Sequence, residues 1–182
     1  PYEIELIDVD KAQHRTPEFK AMNPLGKVPV VLDGQIPVSE LGAIGIYLSD
    51  KYPQAGLAPP IDAQTRADYL RWCFFASGIV EPALAQKFLG FEISRTQAAW
   101  GSYDLMISMA EQGTSKEEWL AGSSFSTADL LVASILRFGI MFAAITSPKL
   151  KDFVRKASDR PAFERASAKE AELLKELTGE AK

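Results

Sequence analysis

Apolar and polar residues alternate from the start of the chain. Tyr2–Val9 reads Tyr-Glu-Ile-Glu-Leu-Ile-Asp-Val, a period of two that predicts a strand. A polar stretch over Asp10–Met22 follows, and Thr16-Pro17 within it places proline where a short helix can begin. Two short apolar runs, Val28–Leu32 and Gln35–Val38, flank Asp33-Gly34, which predicts a β-hairpin. Pro29 cannot donate a ladder hydrogen bond, so it should stand where a strand begins or bends. An X-Pro bond is cis at a cost of only about 0.5–1 kcal/mol. A residue there with its N–H and C=O turned to solvent can pair with an extended peptide; the alternative is an ordinary proline-bounded turn. Ser39–Leu48 then predicts a helix, with Ser39 as cap and Glu40 beside its positive end.

Lys51–Pro60 holds three prolines and a glycine and reads as a linker. From Ala63 onward the period is helical. Residues 63–90 predict a long helix with Tyr69, Trp72, Cys73 and Ala76 on one side, bent or interrupted near Ser77-Gly78 and Pro82. Arg95–Glu111 predicts a second, apolar at Ala98, Leu105 and Met109 and ending near Gly113. Trp119–Gly122 is a turn. In Phe125-Ser126-Thr127-Ala128-Asp129-Leu130, Ser126 caps a helix, Asp129 reaches back to its N–H, and Phe125 staples onto Leu130. Asp129 is therefore a folding residue, not a catalytic carboxylate. Leu130–Ala144 is apolar nearly all round apart from Arg137 and should run through a core. The tail from Ala166 is charged and helix-prone. The composition shift and the linker together divide the chain into 1–54, a linker 55–62, and 63–182.

Composition narrows the chemistry. Of 182 residues, 47% are hydrophobic and 24% charged, ordinary values for a globular protein. The net charge of −4 argues against a nucleic-acid partner, and no apolar run approaches the ~20 residues that span a bilayer. One cysteine, Cys73, excludes an internal disulfide or a CxxC pair and fits a reducing cytoplasm. One histidine, His14, leaves no His-rich metal site, and no other ligand cluster is evident.

The run Asn23–Leu48 resembles the glutathione transferase family. Asn-Pro-Leu-Gly-Lys-Val-Pro at 23–29 and Glu-Leu-Gly-Ala-Ile-Gly-Ile-Tyr-Leu at 40–48 are similar to its motifs in order and spacing, and Ser126–Asp129 resembles its buried-helix motif. The nearest likeness is to bacterial phi-, theta- and beta-like members. One departure stands out: Leu41 replaces a customary serine or threonine. The resemblance implies an α/β thioredoxin-like domain followed by an all-helical bundle. It also makes Tyr2–Val9 the second strand of its domain, so that a first strand and helix are expected upstream of Pro1 or from another chain. The catalytic Tyr, Ser or Cys is expected in that upstream segment and is unknown here.

The same resemblance implies the contacts. Val28, ahead of Pro29, offers a backbone edge to the middle of glutathione. Lys27, with His14 or Arg15, meets the glycine carboxylate; both of the latter also read as solvated loop residues. Glu40 meets the γ-glutamyl ammonium, and the helix N-terminus at Leu41 attracts the neighbouring carboxylate. Tyr69, Trp72, Phe75, Met141 and Phe142 are candidates for an apolar electrophile pocket or for plain core, and Cys73 for a buried thiol rather than a nucleophile. The implied protein is a cytoplasmic homodimer joined across Ala43–Lys51 and Ala63–Ala85, conjugating glutathione to an apolar electrophile. A non-catalytic binding protein and a glutathione-dependent thiol oxidoreductase are the alternatives.

Overall fold

A computed structural model describes residues 2–178; Pro1 and the end of the charged tail at 179–182 lie outside the described residues. The chain forms two units, 1–44 with 158–182, and 45–157.

In the first unit the predicted strand Tyr2–Val9 joins no sheet. A period-two pattern makes a strand only when a second extended segment takes up its backbone groups; here only Asp8 and Val9 are bonded, by Ala12 and Gln13 in the turn that follows. Beyond it α1 (Pro17–Met22) forms where proline was expected, with Thr16 Oγ1 accepting from Phe19 N–H at 3.3 Å and Phe19 buried. The hairpin also forms. β1 (Val30–Asp33) and β2 (Ile36–Ser39) pair antiparallel with Val30 opposite Ser39 and Asp33 opposite Ile36. The two turn residues are thus Gly34 and Gln35, with Gly34 at φ 62°, the positive φ that a type II′ turn needs at its first central position.

The helix α2 (Leu41–Lys51) begins two residues after the predicted cap. Ser39 is taken up by the β ladder, so Glu40 fills the cap position: its carbonyl accepts Ile44 N–H at 2.9 Å, and its φ is 68°. The first unit also includes α8 (Pro161–Thr178), the helical part of the charged tail.

The second unit is a helical bundle built around α6 (Thr127–Met141). The predicted long helix over 63–90 is α3 (Arg66–Phe75), a π-helical segment Ala76–Val80, and α4 (Glu81–Leu89). The widening falls where Gly78 and Pro82 were expected to interrupt. Pro82 has no N–H to donate, and Glu81 N–H reaches back five residues to Ala76. The next helix, α5 (Tyr103–Lys116), starts eight residues later than predicted because Ser102 caps it, its Oγ accepting Leu105 N–H at 3.2 Å. Its buried positions are Met106 and Ala110 rather than Leu105 and Met109. Gly113 does not end α5; a Cβ there would fall within the ring of Trp72, so glycine lets α5 approach α3. α7 (Pro148–Ser158) completes the bundle.

The capping motif opens α6 as predicted. Asp129 is fully buried and accepts from Leu120 N–H, Ser126 N–H and Ser126 Oγ, each at 2.8 Å. Burial pushes its carboxyl above the usual range, while these donors pull it back. Phe125 packs edge-on to Trp119 at 5.0 Å between ring centres; Leu130, the predicted staple partner, is exposed. Along α6, Leu131, Val132 and Leu136 are buried, each contributing about 1.5–3 kcal/mol. The helix is not core on all sides, however. Leu130, Ser134, Phe138 and Met141 form an exposed stripe at helical spacing, because the neighbouring helices cover only the opposite face.

Candidate functional site

The residues predicted to hold a tripeptide lie in the first unit: His14, Arg15, Lys27, Val28, Pro29, Glu40 and Leu41. Their arrangement starts from Asn23, at the end of α1. Its Oδ1 accepts Leu25 N–H at 3.1 Å, and its Nδ2 donates to the Lys27 carbonyl at 2.8 Å. Gly26 N–H returns to the Asn23 carbonyl at 2.9 Å, with Gly26 at φ 61°. A Cβ on Gly26 would stand 2.8 Å from the His14 carbonyl oxygen, so the 24–27 turn lies directly against the 3-10 turn Gln13–Arg15.

The chain leaves this turn through Val28–Pro29, whose peptide bond is cis, and β1 begins one residue later, as Pro29 predicts. Val28 is 47% exposed. Among the described residues, neither its amide nor its carbonyl has a hydrogen-bond partner. That is an open backbone edge of one residue, the feature an extended peptide needs. His14 supplies a second unpaired group. Its Nε2 accepts from Arg15 Nε at 3.2 Å, and its Nδ1 is buried without a partner. Lys27 and Glu40 are exposed. Leu41, the first residue of α2, is also exposed and presents an apolar side chain beside the unpaired N–H groups of the helix start.

The predicted apolar residues lie in the second unit and separate into two groups. Tyr69, Trp72 and Phe75 belong to the buried core, whereas Met141 and Phe142 are exposed. Phe142 stands 4.7 Å from Phe138 and 6.1 Å from Phe88 between ring centres, and Phe88 is 6.0 Å from Phe138. This half-exposed cluster joins residues of α4 to the end of α6. Phe88 escaped the sequence reading because it meets Phe138 and Phe142 only when α4 and α6 lie side by side. Asn23 escaped it too, although an Asn-Pro pair before a turn is itself a signal for a side chain that bonds its own backbone.

Neither buried reactive group is activated. Burial pushes the Cys73 thiol up to about 11 and the Tyr69 phenol up to about 12. The Tyr69 hydroxyl lies near Ser49 and Thr127 but has no well-formed hydrogen bond. Ser49 and Thr127 bond each other at 2.5 Å, where Gly45 lets α2 reach within contact of the Thr127 methyl. The carboxylate of Asp50 receives both guanidinium nitrogens of Arg66, at 2.8 and 2.7 Å, and this pairing holds its carboxyl below the usual range. Arg66 also donates to the Pro59 carbonyl at 3.1 Å, which ties down the linker. No helix among the described residues is long and apolar enough to cross a membrane.

Comparison with known proteins bears on both units. Residues 1–50 match the profile of the glutathione S-transferase N-terminal domain, and residues 96–161 match that of its C-terminal domain. The chain belongs to the glutathione S-transferase family. It is 32% identical over 150 residues to glutathione S-transferase theta-1 of Homo sapiens, covering 75% of this chain and 62% of that protein. To theta-2 of Mus musculus it is 43% identical over 75 residues, 40% of this chain and 31% of that one. The chain thus spans less than two thirds of these curated relatives. Among solved structures, the glutathione transferase URE2P8 of Phanerochaete chrysosporium, determined with oxidized glutathione, shares its fold at a TM-score of 0.77 and 24% identity, over 95% of this chain and 85% of that one. A glutathione transferase of Burkholderia graminis, with two glutathione molecules bound per subunit, is 29% identical at a TM-score of 0.69, over 91% and 76% of the two chains.

Proposed function

We propose that this protein binds glutathione along the Val28 edge and conjugates it through its thiolate to an apolar electrophile. The observation that carries the reading is the unpaired backbone of half-exposed Val28 between groups suited to the two ends of the tripeptide. Lys27, with His14 and Arg15, takes the glycine carboxylate. Glu40 takes the γ-glutamyl ammonium, and the N–H groups at Leu41 take its carboxylate. Charge-assisted hydrogen bonds of this kind each contribute about 1.5–3 kcal/mol.

In the transfer, the sulfur forms the new bond to the electrophile, the displaced group leaves, and the thiol proton goes to solvent. A free thiol titrates near 8.5, so the sulfur needs a hydrogen bond that favours its anion. Tyr69 and Cys73 are buried and raised, and neither is that donor. The electrophile rests on exposed apolar residues, with Met141 and Phe142 the predicted members open to a ligand. Tyr69, Trp72 and Phe75 then contribute through the core.

The reading keeps the division 1–54, 55–62 and 63–182, a cytoplasmic location, and a homodimer through Ala43–Lys51 and Ala63–Ala85. Exposed Phe74 on α3 supports that dimer face. Leu41 favours a second reading, a binding protein without turnover, because the helix start lacks a hydroxyl for the substrate. Calorimetric titration with glutathione, followed by turnover of an activated aryl halide, tests both. Binding with turnover supports the transferase, binding alone supports the second reading, and no binding overturns both.

A further inference from the structure

We propose that Asn23 is the positioning residue of the tripeptide edge: by holding the Lys27 carbonyl inward it turns the Val28 amide outward. The inference rests on the glutathione reading above. The Lys27 carbonyl and the Val28 N–H belong to one peptide group, which is planar and trans, so they point in opposite directions. Asn23 Nδ2 donates to that carbonyl at 2.8 Å. Fixing the oxygen fixes the plane, and the plane sends the Val28 N–H away from Asn23, where it has no partner among the described residues.

Asn23 is suited to set this plane because it is itself immobile. It is 2% exposed, its N–H donates to the Phe19 carbonyl at 2.9 Å, and its carbonyl accepts Gly26 N–H at 2.9 Å. Its Oδ1 accepts Leu25 N–H, closing the turn. The amide therefore has two separable tasks, an acceptor that shapes the turn and a donor that orients the next peptide. A serine at 23 keeps a short acceptor for Leu25 N–H but cannot span to Lys27. Without the donor the peptide is free to rotate, and the Val28 N–H loses its fixed aim at the cysteinyl carbonyl of the ligand.

The full chain with Asn23→Ser is titrated calorimetrically with glutathione and with γ-glutamylcysteine, beside the wild type and Lys27→Ala. The Val28 amide proton is followed by NMR, and thermal unfolding checks that each variant is folded. Glutathione and γ-glutamylcysteine share the cysteinyl backbone that meets Val28, but only glutathione carries the glycine that meets Lys27. The inference predicts that N23S binds both ligands about tenfold more weakly, with the wild-type shift of the Val28 amide on binding lost. K27A should weaken glutathione alone. If the wild type binds glutathione but N23S is unchanged, or is weakened for glutathione only, Asn23 does not act through Val28 and the inference is overturned. If the wild type binds neither ligand, the glutathione reading itself falls and the inference with it.

Discussion

Replacing Leu41 with serine should tighten glutathione binding roughly fivefold. Leu41 is the first residue of α2, following a cap residue, Glu40, whose carbonyl already accepts the first helical hydrogen bond. In the proposed pose the helix start faces the γ-glutamyl carboxylate, and leucine offers it only a backbone N–H. A serine hydroxyl would add one hydrogen bond to a charged acceptor, worth about 1.5–3 kcal/mol when shielded. Leu41 is 42% exposed, so water competes and the gain falls to about 1 kcal/mol, which is roughly fivefold in the dissociation constant. Losing a half-exposed leucine costs about 1 kcal/mol of stability, and a poorer helix former adds a few tenths. Leu41→Ala carries that cost without the hydroxyl and is the control. Calorimetry with glutathione at constant pH and salt should rank L41S tightest, with L41A close to wild type. Equal affinities for L41S and L41A would show that the helix start does not meet the carboxylate.

Other expectations concern the framework that holds the site. Gly113→Ala places a methyl within the Trp72 ring and should cost about 3 kcal/mol in urea unfolding. In a Trp72→Leu background the same change should cost less than half as much; an equal cost would mean that Trp72 is not the obstacle. Asp129→Ala strands two backbone N–H groups and should lose about 3 kcal/mol, and a loss below about 1 kcal/mol would contradict the cap geometry. The Asp50–Arg66 pair is pH-dependent with a definite sign. Arg66 lowers the folded-state pKa of Asp50 below its ordinary 3.8, so the pair's contribution is present above about pH 4 and is lost as pH falls through the lowered value. Wild type should exceed Arg66→Gln by about 1 kcal/mol at pH 7, the modest value of a partly exposed pair, and the gap should close toward pH 3. A gap that widens on acidification would refute this assignment.

Much of the site could be read before any geometry. Pro29 marked the start of β1, Asp33-Gly34 marked the hairpin, and Ser126–Asp129 marked the opening of α6. Each works through contacts within a few residues, so the local sequence carries the whole cause. The errors also share a cause. Ser39 looked like a cap until the ladder with Val30 claimed it, and Tyr2–Val9 looked like a strand although no described segment pairs with it. Gly113 looked like a helix end, but its role is set by a tryptophan 41 positions earlier in the chain.

The sequence by itself determined the turn from Asn23 to Pro29, the hairpin after it and the capped helix at Ser126, because hydrogen-bond geometry over short spans leaves few alternatives. Tertiary structure alone decided which aromatic residues are core and which are exposed. It also decided which side of α6 is left open, and that the Val28 edge is free. Those outcomes depend on which distant surfaces exclude water from one another, and helical or alternating spacing along a chain does not contain that information.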